Sequence, residues 1–576
     1  MVHLPRGLSA MQWTLAGMIV ASLSLVGLVA IVAPPNSWDA MEYHMPRMIF
    51  WVSNHTLRNF PTPDYAQLVQ GTAAEAVSLN TYLLWGSDRL VNLQEFFCFF
   101  GCAVGASAIA SRLGADRTGQ LLAALFVVTI PEAILESSGA MTTGVVSFWT
   151  VCACYFLMRA GETSNDWEIV TAALAAGLAL LTKGIAFIYL PILLLGCLSF
   201  RPATARWWLL KRLPLFAVLA LAINAGQFVR AYQVTGTPLG APFPGGGPRL
   251  HFGNDHPSPA SIAANVIRQA TLHLGTPSHT VNVRIEAVAR RTIRLLGQDP
   301  DDPNAVWSGS PYAISPPGRL EVFAGNPLHF VIAAFCFFAI LFLRPKDGDG
   351  RSDGKHVRLL WYTAAIFCAF IVFCGLIRWQ PWGSRFHLPL FVLAAATVGI
   401  AVERIATSRW LVVGFSSLLF VAATPYLLSN STRSVLSTRG FPTIFLPRPD
   451  LYFGDQHMWL AATDLAMADA IKAKSCDRIA LDAYMPIPEA ELVKSPPSYY
   501  VYPLLAQLKI DGTTRSVHYI DVKNPTKRFA PVNGTAPDCA VVCLACRLSH
   551  GSKSDAAMGP IKVFGESELV FPIGPE

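Results

Sequence analysis

Apolar stretches of about the length needed to cross a bilayer recur from Met11 to Leu428, separated by short polar connections. A bilayer-spanning helix needs about 20 mainly apolar residues. The windows near 11–32, 91–110, 120–136, 142–158, 168–182, 184–200, 214–233, 328–343, 359–377, 386–402 and 410–428 predict about eleven spans. The first is too long for a cleavable signal, and it ends in "PPNSW" with no small-residue cleavage pattern. Basic residues gather in alternate connections: Arg112 and Arg117, Arg159, the group from Arg201 to Arg212, the segment "RPKDGDGRSDGKHVR", and Arg404 with Arg409. Because short basic loops stay on the cytoplasmic side, this pattern puts the N-terminus inside. The loops 33–90 and 234–327, the turn "RWQPWGS" and the tail then lie on the external side.

After about Ser429 the pattern changes to short apolar runs such as "RIALDAY" and "CAVVCLAC", which read as strands of a small α/β unit. The expected organisation is an α-helical polytopic membrane domain over 1–428 and a soluble α/β domain over 429–576. Composition agrees: 53% hydrophobic and only 14% charged residues, with mean hydropathy +0.42, against about a quarter charged in soluble domains. The net charge of +7 implies no nucleic acid partner, because topology and anionic membrane lipids account for basic cytoplasmic loops. No Walker-type loop and no GxGxxG after a strand occurs, so direct ATP or NAD chemistry is unsupported. Eight of the twelve cysteines fall in apolar stretches and read as small hydrophobes. The other four, Cys476, Cys539, Cys543 and Cys546, lie in the tail, where disulfides are favoured over the rival zinc site.

The segment "NSWDAMEYHMPRMIFW" (36–51) brings Asp39, Glu42, His44 and Arg47 to the end of the first apolar stretch. On a helix starting near Trp38, Asp39, Glu42, Tyr43 and Arg47 share one face, and Met41, Met45, Met48 and Trp51 the other. Such an amphipathic helix suits the membrane interface. Two readings stand for Asp39: a functional carboxylate, or an N-cap that forms a capping box with Glu42. Lys183 in "LLTKGIAF" stands at a tight hairpin between two apolar stretches, and Arg385 and His387 begin another. Lys183 either snorkels to water or meets an anion. A carboxylate with Lys and Arg at span ends can hold a phosphate while a base acts beside it.

The stretches "SWDAMEYHMPRMIFWVSN", "GTAAEAVSLNTYLLWGSDRLVNL", "LLTKGIAFIYLPI" and "RWQPWGSRFHLPLF" resemble bacterial membrane glycosyltransferases of the GT-C fold, in the dolichyl-phosphate-mannose protein mannosyltransferase and aminoarabinose transferase group. The resemblance runs from about Asn36 to Leu390. It implies a polyprenyl-phosphate sugar donor, a hexosyl or pentosyl transfer at the periplasmic face of the inner membrane, and a glycan, lipid or protein acceptor. Asp39 matches the catalytic aspartate of the first external loop. Glu75 matches an acidic position of that loop's second helix, and Lys183 and Arg385 match basic positions near the donor phosphate. Glu42, His44, Arg47 and His387 complete the expected substrate-binding set. No cofactor is assigned; a divalent metal ion is the one candidate, with Asp39 and Glu75 as ligands and Glu42 and His44 as further donors of suitable type. Where relatives carry an Asn-Asp pair after the third span, this chain has Met141, Thr142 and Thr143, with Glu132 and Glu136 nearby. The rival function is a secondary transporter or flippase, but that calls for charges deep inside broken helices, and here they sit at span ends.

Overall fold

The structure is a computed structural model describing residues 7–198, 203–240, 252–307, 309–343, 350–437, 440–454, 458–483, 500–510, 515–522, 524–530, 538–544, 561–565 and 567–572. A capping box of Ser9 and Gln12 opens α1 (Ala10–Val32). The first loop then holds a π turn (Ala40–His44) running into α2 (Met45–Ser53), followed by α3 (Ala66–Val69) and α4 (Ala73–Trp85). Next come α5 (Leu93–Leu113), α6 (Arg117–Val128), α7 (Pro131–Glu136), α8 (Thr143–Thr163), α9 (Asp166–Thr182), α10 (Ala186–Leu198) and α11 (Ala203–Thr235). The second long loop folds into α12 (Pro259–Thr271) and α13 (His279–Leu295), and α14 (Pro327–Ala339), α15 (Gly350–Leu376), α16 (Leu388–Ile405) and α17 (Arg409–Leu428) complete the bundle.

Every apolar window of the sequence is helical, but the helices differ in reach. Among the described residues seven helices are long and apolar enough to cross a membrane. Arg117–Val128, Ala186–Cys197 and Pro327–Ala339 are apolar but shorter; at 1.5 Å per residue they cover only about 18–20 Å of a hydrocarbon core about 30 Å thick. The expected span 120–136 is in fact two helices, α6 and α7. Pro131 at the start of α7 has no N–H to continue the ladder from α6. The chain is thus a multi-pass membrane protein, and among the described residues seven helices meet the length criterion on their own.

The bundle packs around α16, in which every residue from Leu388 to Ala401 is buried. Small residues permit this closeness: a Cβ added at Gly399 would come within 2.3 Å of the Gly119 carbonyl oxygen of α6. By contrast α1, α11 and α17 present large apolar side chains such as Val20, Val218 and Val421 outward, as helices facing lipid do.

The tail carries α18 (Arg448–Leu451), α19 (Met458–Ala473) and α20 (Val501–Leu508) with β1 (Arg478–Ala483), β2 (Ser516–Tyr519), β3 (Ala540–Leu544), β4 (Ile561–Phe564) and β5 (Ser567–Val570). The strands form one sheet in the order β2-β1-β3-β5-β4. Strand β1 pairs parallel with both β2 and β3, while β5 pairs antiparallel with β3 and β4. Cys476 and Cys539, just before β1 and β3, are joined by a disulfide. Cys543 is also disulfide-bonded, and Cys546 lies outside the described residues.

The sheet does not stand apart from the first loop. Met41, Met45, Met48, Ile49 and Phe50 share one apolar core with Ile479, Leu481, Val517 and Val542, so the apolar face of the first-loop helix meets protein rather than lipid. Ser53 Oγ accepts from the Val517 N–H (2.8 Å) and donates to the Val517 carbonyl (3.1 Å). The carboxylate of Asp88 accepts from Arg448 (2.8 Å), Tyr452 (2.6 Å) and Tyr502 (2.7 Å). The tail therefore clamps the loop that carries Asp39.

Candidate active site

The π turn that precedes α2 has a local cause. Pro46 cannot donate to the Glu42 carbonyl four residues back; the Gln67 side chain donates to that carbonyl instead (3.2 Å). The Met45 N–H reaches back five residues to the Ala40 carbonyl. Single π turns of this kind are frequent at functional sites. Asp39 is already helical (φ −59°, ψ −35°) and makes no cap hydrogen bond, which overturns the capping-box reading. Its carboxylate is drawn instead to a full charge: Arg385 Nη1 donates to Oδ2 at 2.7 Å, and the Tyr43 hydroxyl donates to the same oxygen at 2.6 Å. A charged donor outcompetes a neutral N–H for a carboxylate.

Three carboxyls of the loop are buried in different electrostatic surroundings. Burial alone would raise Asp39, but Arg385, His44, Lys183 and the Tyr43 hydroxyl outweigh it and hold the carboxyl below its usual range. Glu42, which accepts from the Trp38 indole N–H at 2.8 Å, is pushed by burial and by Asp64 and Asp39 up to about 8. Asp64 is pushed by burial up to about 6, although the Ala66 N–H and Arg47 oppose this. At neutral pH a charged Asp39 therefore stands beside a protonated Glu42.

The raised Glu42 has a consequence for stability. The folded chain binds this proton more tightly than the unfolded chain does, so the contribution is full below about 4.5 and is lost as pH rises through about 8. Thermal unfolding in detergent should show the midpoint falling between pH 5 and 9, and Glu42→Gln should flatten that fall. Parallel curves for the two proteins would show that Glu42 titrates normally.

His44, Arg47 and Glu75 form a second layer that locks the loop. Arg47 is fully buried and donates to the carbonyls of Gln67 (2.7 Å), Gly71 (2.7 Å) and Ala66 (2.7 Å) and to Glu75 Oε1 (3.1 Å). The same Glu75 oxygen lies 2.5 Å from His44 Nδ1, and Arg47 and His44 hold the Glu75 carboxyl low against its burial. With four of its five N–H groups engaged, Arg47 has little left for a substrate phosphate. This layer is pressed on the end of α9: the Thr72 N–H donates to the Leu181 carbonyl (2.8 Å), and a Cβ on Gly71 would meet that carbonyl at 2.2 Å.

Lys183 follows α9 directly. Its ammonium turns inward, donating to Thr143 Oγ1 at 2.8 Å and lying 5.5 Å from the Phe386 ring centre; it does not snorkel. Thr143 occupies the position where the sequence departs from the Asn-Asp pair. Three further carboxyls are buried nearby. Glu95 accepts from the Gly144 N–H (3.1 Å), and Glu132 accepts from Ser384 (2.8 Å) and Asn326 (3.0 Å). Glu136 is fully buried, close enough to Lys183 and Arg385 to feel both charges.

Two residues depart from expectation. His387 does not join the cluster; its Nδ1 lies 2.9 Å from His273 Nε2, with Phe370 and Phe373 edge-on to its ring and Phe391 edge-on to that of His273. Arg433, which sequence reasoning passed over, is fully buried and ties Asn36 (3.1 Å) to Ser138 (2.9 Å) and the Leu135 carbonyl (2.7 Å). The signal for it was a basic residue five positions past the last span.

The metal reading finds no matching donor set. Among the described residues no three His, Cys, Asp or Glu side chains are grouped to hold a metal ion. The two candidates, Asp39 and Glu75, are each occupied by a cation of the chain itself.

Residues 88–230 match the family model of dolichyl-phosphate-mannose-protein mannosyltransferase. No curated protein sequence matches the chain significantly. In structure the chain is similar to ArnT from Cupriavidus metallidurans bound to undecaprenyl phosphate, at 13% identity and TM-score 0.50, over 99% of this chain and 100% of that one. The same protein in the apo state is similar at 14% identity and TM-score 0.50, over 97% and 99%. The chain is therefore a multi-pass membrane protein with the GT-C fold of membrane glycosyltransferases, and its segment 88–230 matches the mannosyltransferase family.

Proposed function

We propose that the chain transfers a sugar from a polyprenyl-phosphate-linked donor to an acceptor hydroxyl or amine, at the periplasmic face of a bacterial inner membrane and with inversion. The observation that carries this reading is the Asp39–Arg385 pair at 2.7 Å, with Lys183 acting on the same carboxylate, where the first loop meets the bundle. The similarity to a structure bound to undecaprenyl phosphate supports the donor class. The basic connections of the opposite face and the disulfide in the tail support the location.

In this reading the donor phosphate engages Lys183 and Arg385, and Arg385 turns from Asp39 to the phosphate. Losing that cation raises the proton affinity of Asp39, so the base becomes effective only once the donor is bound. Asp39 takes the acceptor proton as the acceptor oxygen or nitrogen bonds to the anomeric carbon. The bond from that carbon to the phosphate oxygen breaks, and polyprenyl phosphate leaves with its charge stabilised by Lys183 and Arg385. One displacement inverts the anomeric centre. Glu42, Arg47, Glu75 and His44 hold the loop in register for this step.

Mass spectrometry of envelope glycans and glycolipids from cells with and without the protein tests the reading. A difference of one sugar residue is the expected result; identical glycans would contradict it.

A further inference from the structure

Helix α13 has an outward face that no described residue covers. Asn282, Ala289 and Ile293 turn inward, and Ala289 and Ile293 pack with Ala264 of α12, Val306, Tyr312 and Trp379. Arg290 is also turned to protein, donating to Glu286 (2.8 Å) and Asp301 (2.6 Å). The remaining arginines, Arg284, Arg291 and Arg294, are exposed, and none pairs with a carboxylate among the described residues. Along one shoulder of this basic stripe, at intervals of seven residues, run Val281, Val288 and Leu295, of which Val288 is 67% and Leu295 78% exposed. An apolar shoulder beside a basic stripe is the pattern of a helix lying in a membrane interface.

The position of α13 agrees with its chemistry. Helix α12 is fastened to the end of the spanning helix α15, Asn265 Nδ2 donating to the carbonyls of Cys374 (2.5 Å) and Ile377 (2.8 Å). Directly packed helices lie about 8–10 Å apart, so α13 sits one helix diameter from an element anchored at the end of a span.

We propose that the outward face of α13 is a docking surface for anionic phospholipid headgroups of the membrane the chain spans. Arg284, Arg291 and Arg294 engage phosphates, while Val281, Val288 and Leu295 enter the boundary between headgroups and acyl chains. This does not depend on which sugar is transferred. A basic side chain near an anionic surface favours binding roughly fivefold, so the three together favour docking about a hundredfold.

Hydrogen exchange of the full-length protein in lipid nanodiscs tests this. Residues 279–295 should exchange more slowly in discs containing phosphatidylglycerol than in discs of phosphatidylcholine alone, and high salt should remove the difference. The exposed substitutions Arg284→Glu, Arg291→Glu and Arg294→Glu, combined, should abolish the difference while α12 keeps its protection. Val288→Ser with Leu295→Ser should lower protection in both kinds of disc. Equal exchange in the two lipids, or a lipid effect that survives the charge reversal, overturns the proposal.

Discussion

Asp39→Asn should bind the lipid-linked donor at least as tightly as the wild type, while turnover falls by about a hundredfold to ten-thousandfold, the usual loss when a general base is removed. The two effects have separate causes. The amide keeps an oxygen that can accept from Tyr43 and Arg385, so the contacts at 2.6 and 2.7 Å retain an acceptor. It has no negative charge to hold Arg385, which frees the guanidinium for a donor phosphate, and it takes up no proton near neutral pH. Removing one partner of a buried ion pair destabilises by about 3–5 kcal/mol at most, so melting and gel filtration must accompany the assay. Glu42→Gln is the control: Glu42 is held protonated with its value at about 8, so its amide changes little at neutral pH and turnover should stay close to wild type. Equal loss in both variants, or normal turnover of Asp39→Asn, would remove Asp39 from the catalytic role.

Lys183→Met and Arg385→Met should each weaken donor binding roughly tenfold to over a hundredfold, the worth of one charge-assisted contact of about 1.5–3 kcal/mol. The variants should differ in what else they change. Lys183 donates to Thr143, a neutral hydroxyl, and its removal leaves Asp39 still paired with Arg385, so this variant should melt closer to the wild-type temperature than Arg385→Met. Arg385→Met strands Asp39 without its nearest cation, which raises the proton affinity of the carboxyl and destabilises the loop. Arg385→Lys restores a charge but not the planar fork, and should recover only part of the affinity. Donor affinity unchanged in both methionine variants would leave Lys183 and Arg385 as structural cations.

Much of the fold was legible because a membrane imposes a simple pattern. The apolar windows became helical, since a helix satisfies the N–H and C=O groups of a lipid-embedded backbone within one segment. What was not legible is set by contacts far apart in sequence. The hydrogen bonds from Arg448 and Tyr452 to Asp88 span 360 and 364 residues, and no local periodicity announces that the first loop and the tail share a core. The break at Pro131 was visible in principle, yet the apolar run across it read as one span.

The candidate site divides in the same way. Asp39, Lys183 and Arg385 were readable as charges at span ends, and the structure brings Arg385 onto Asp39 with Lys183 close by. The capping box was readable too and is absent, because a neutral local N–H lost to a cation 346 residues away. His387 follows Arg385 by two positions but turns to His273, a choice fixed by the packing of aromatic rings around it.

The central claim is that the chain breaks the bond between a sugar and a lipid phosphate. It is tested most directly by incubating the purified protein in liposomes with a labelled polyprenyl-phosphate sugar and an envelope extract as acceptor. The expected result is label in the acceptor with inverted configuration, one polyprenyl phosphate released per sugar transferred, and neither product with Asp39→Asn. Movement of intact donor across the liposome membrane with no release of polyprenyl phosphate would contradict the account and identify the protein as a flippase.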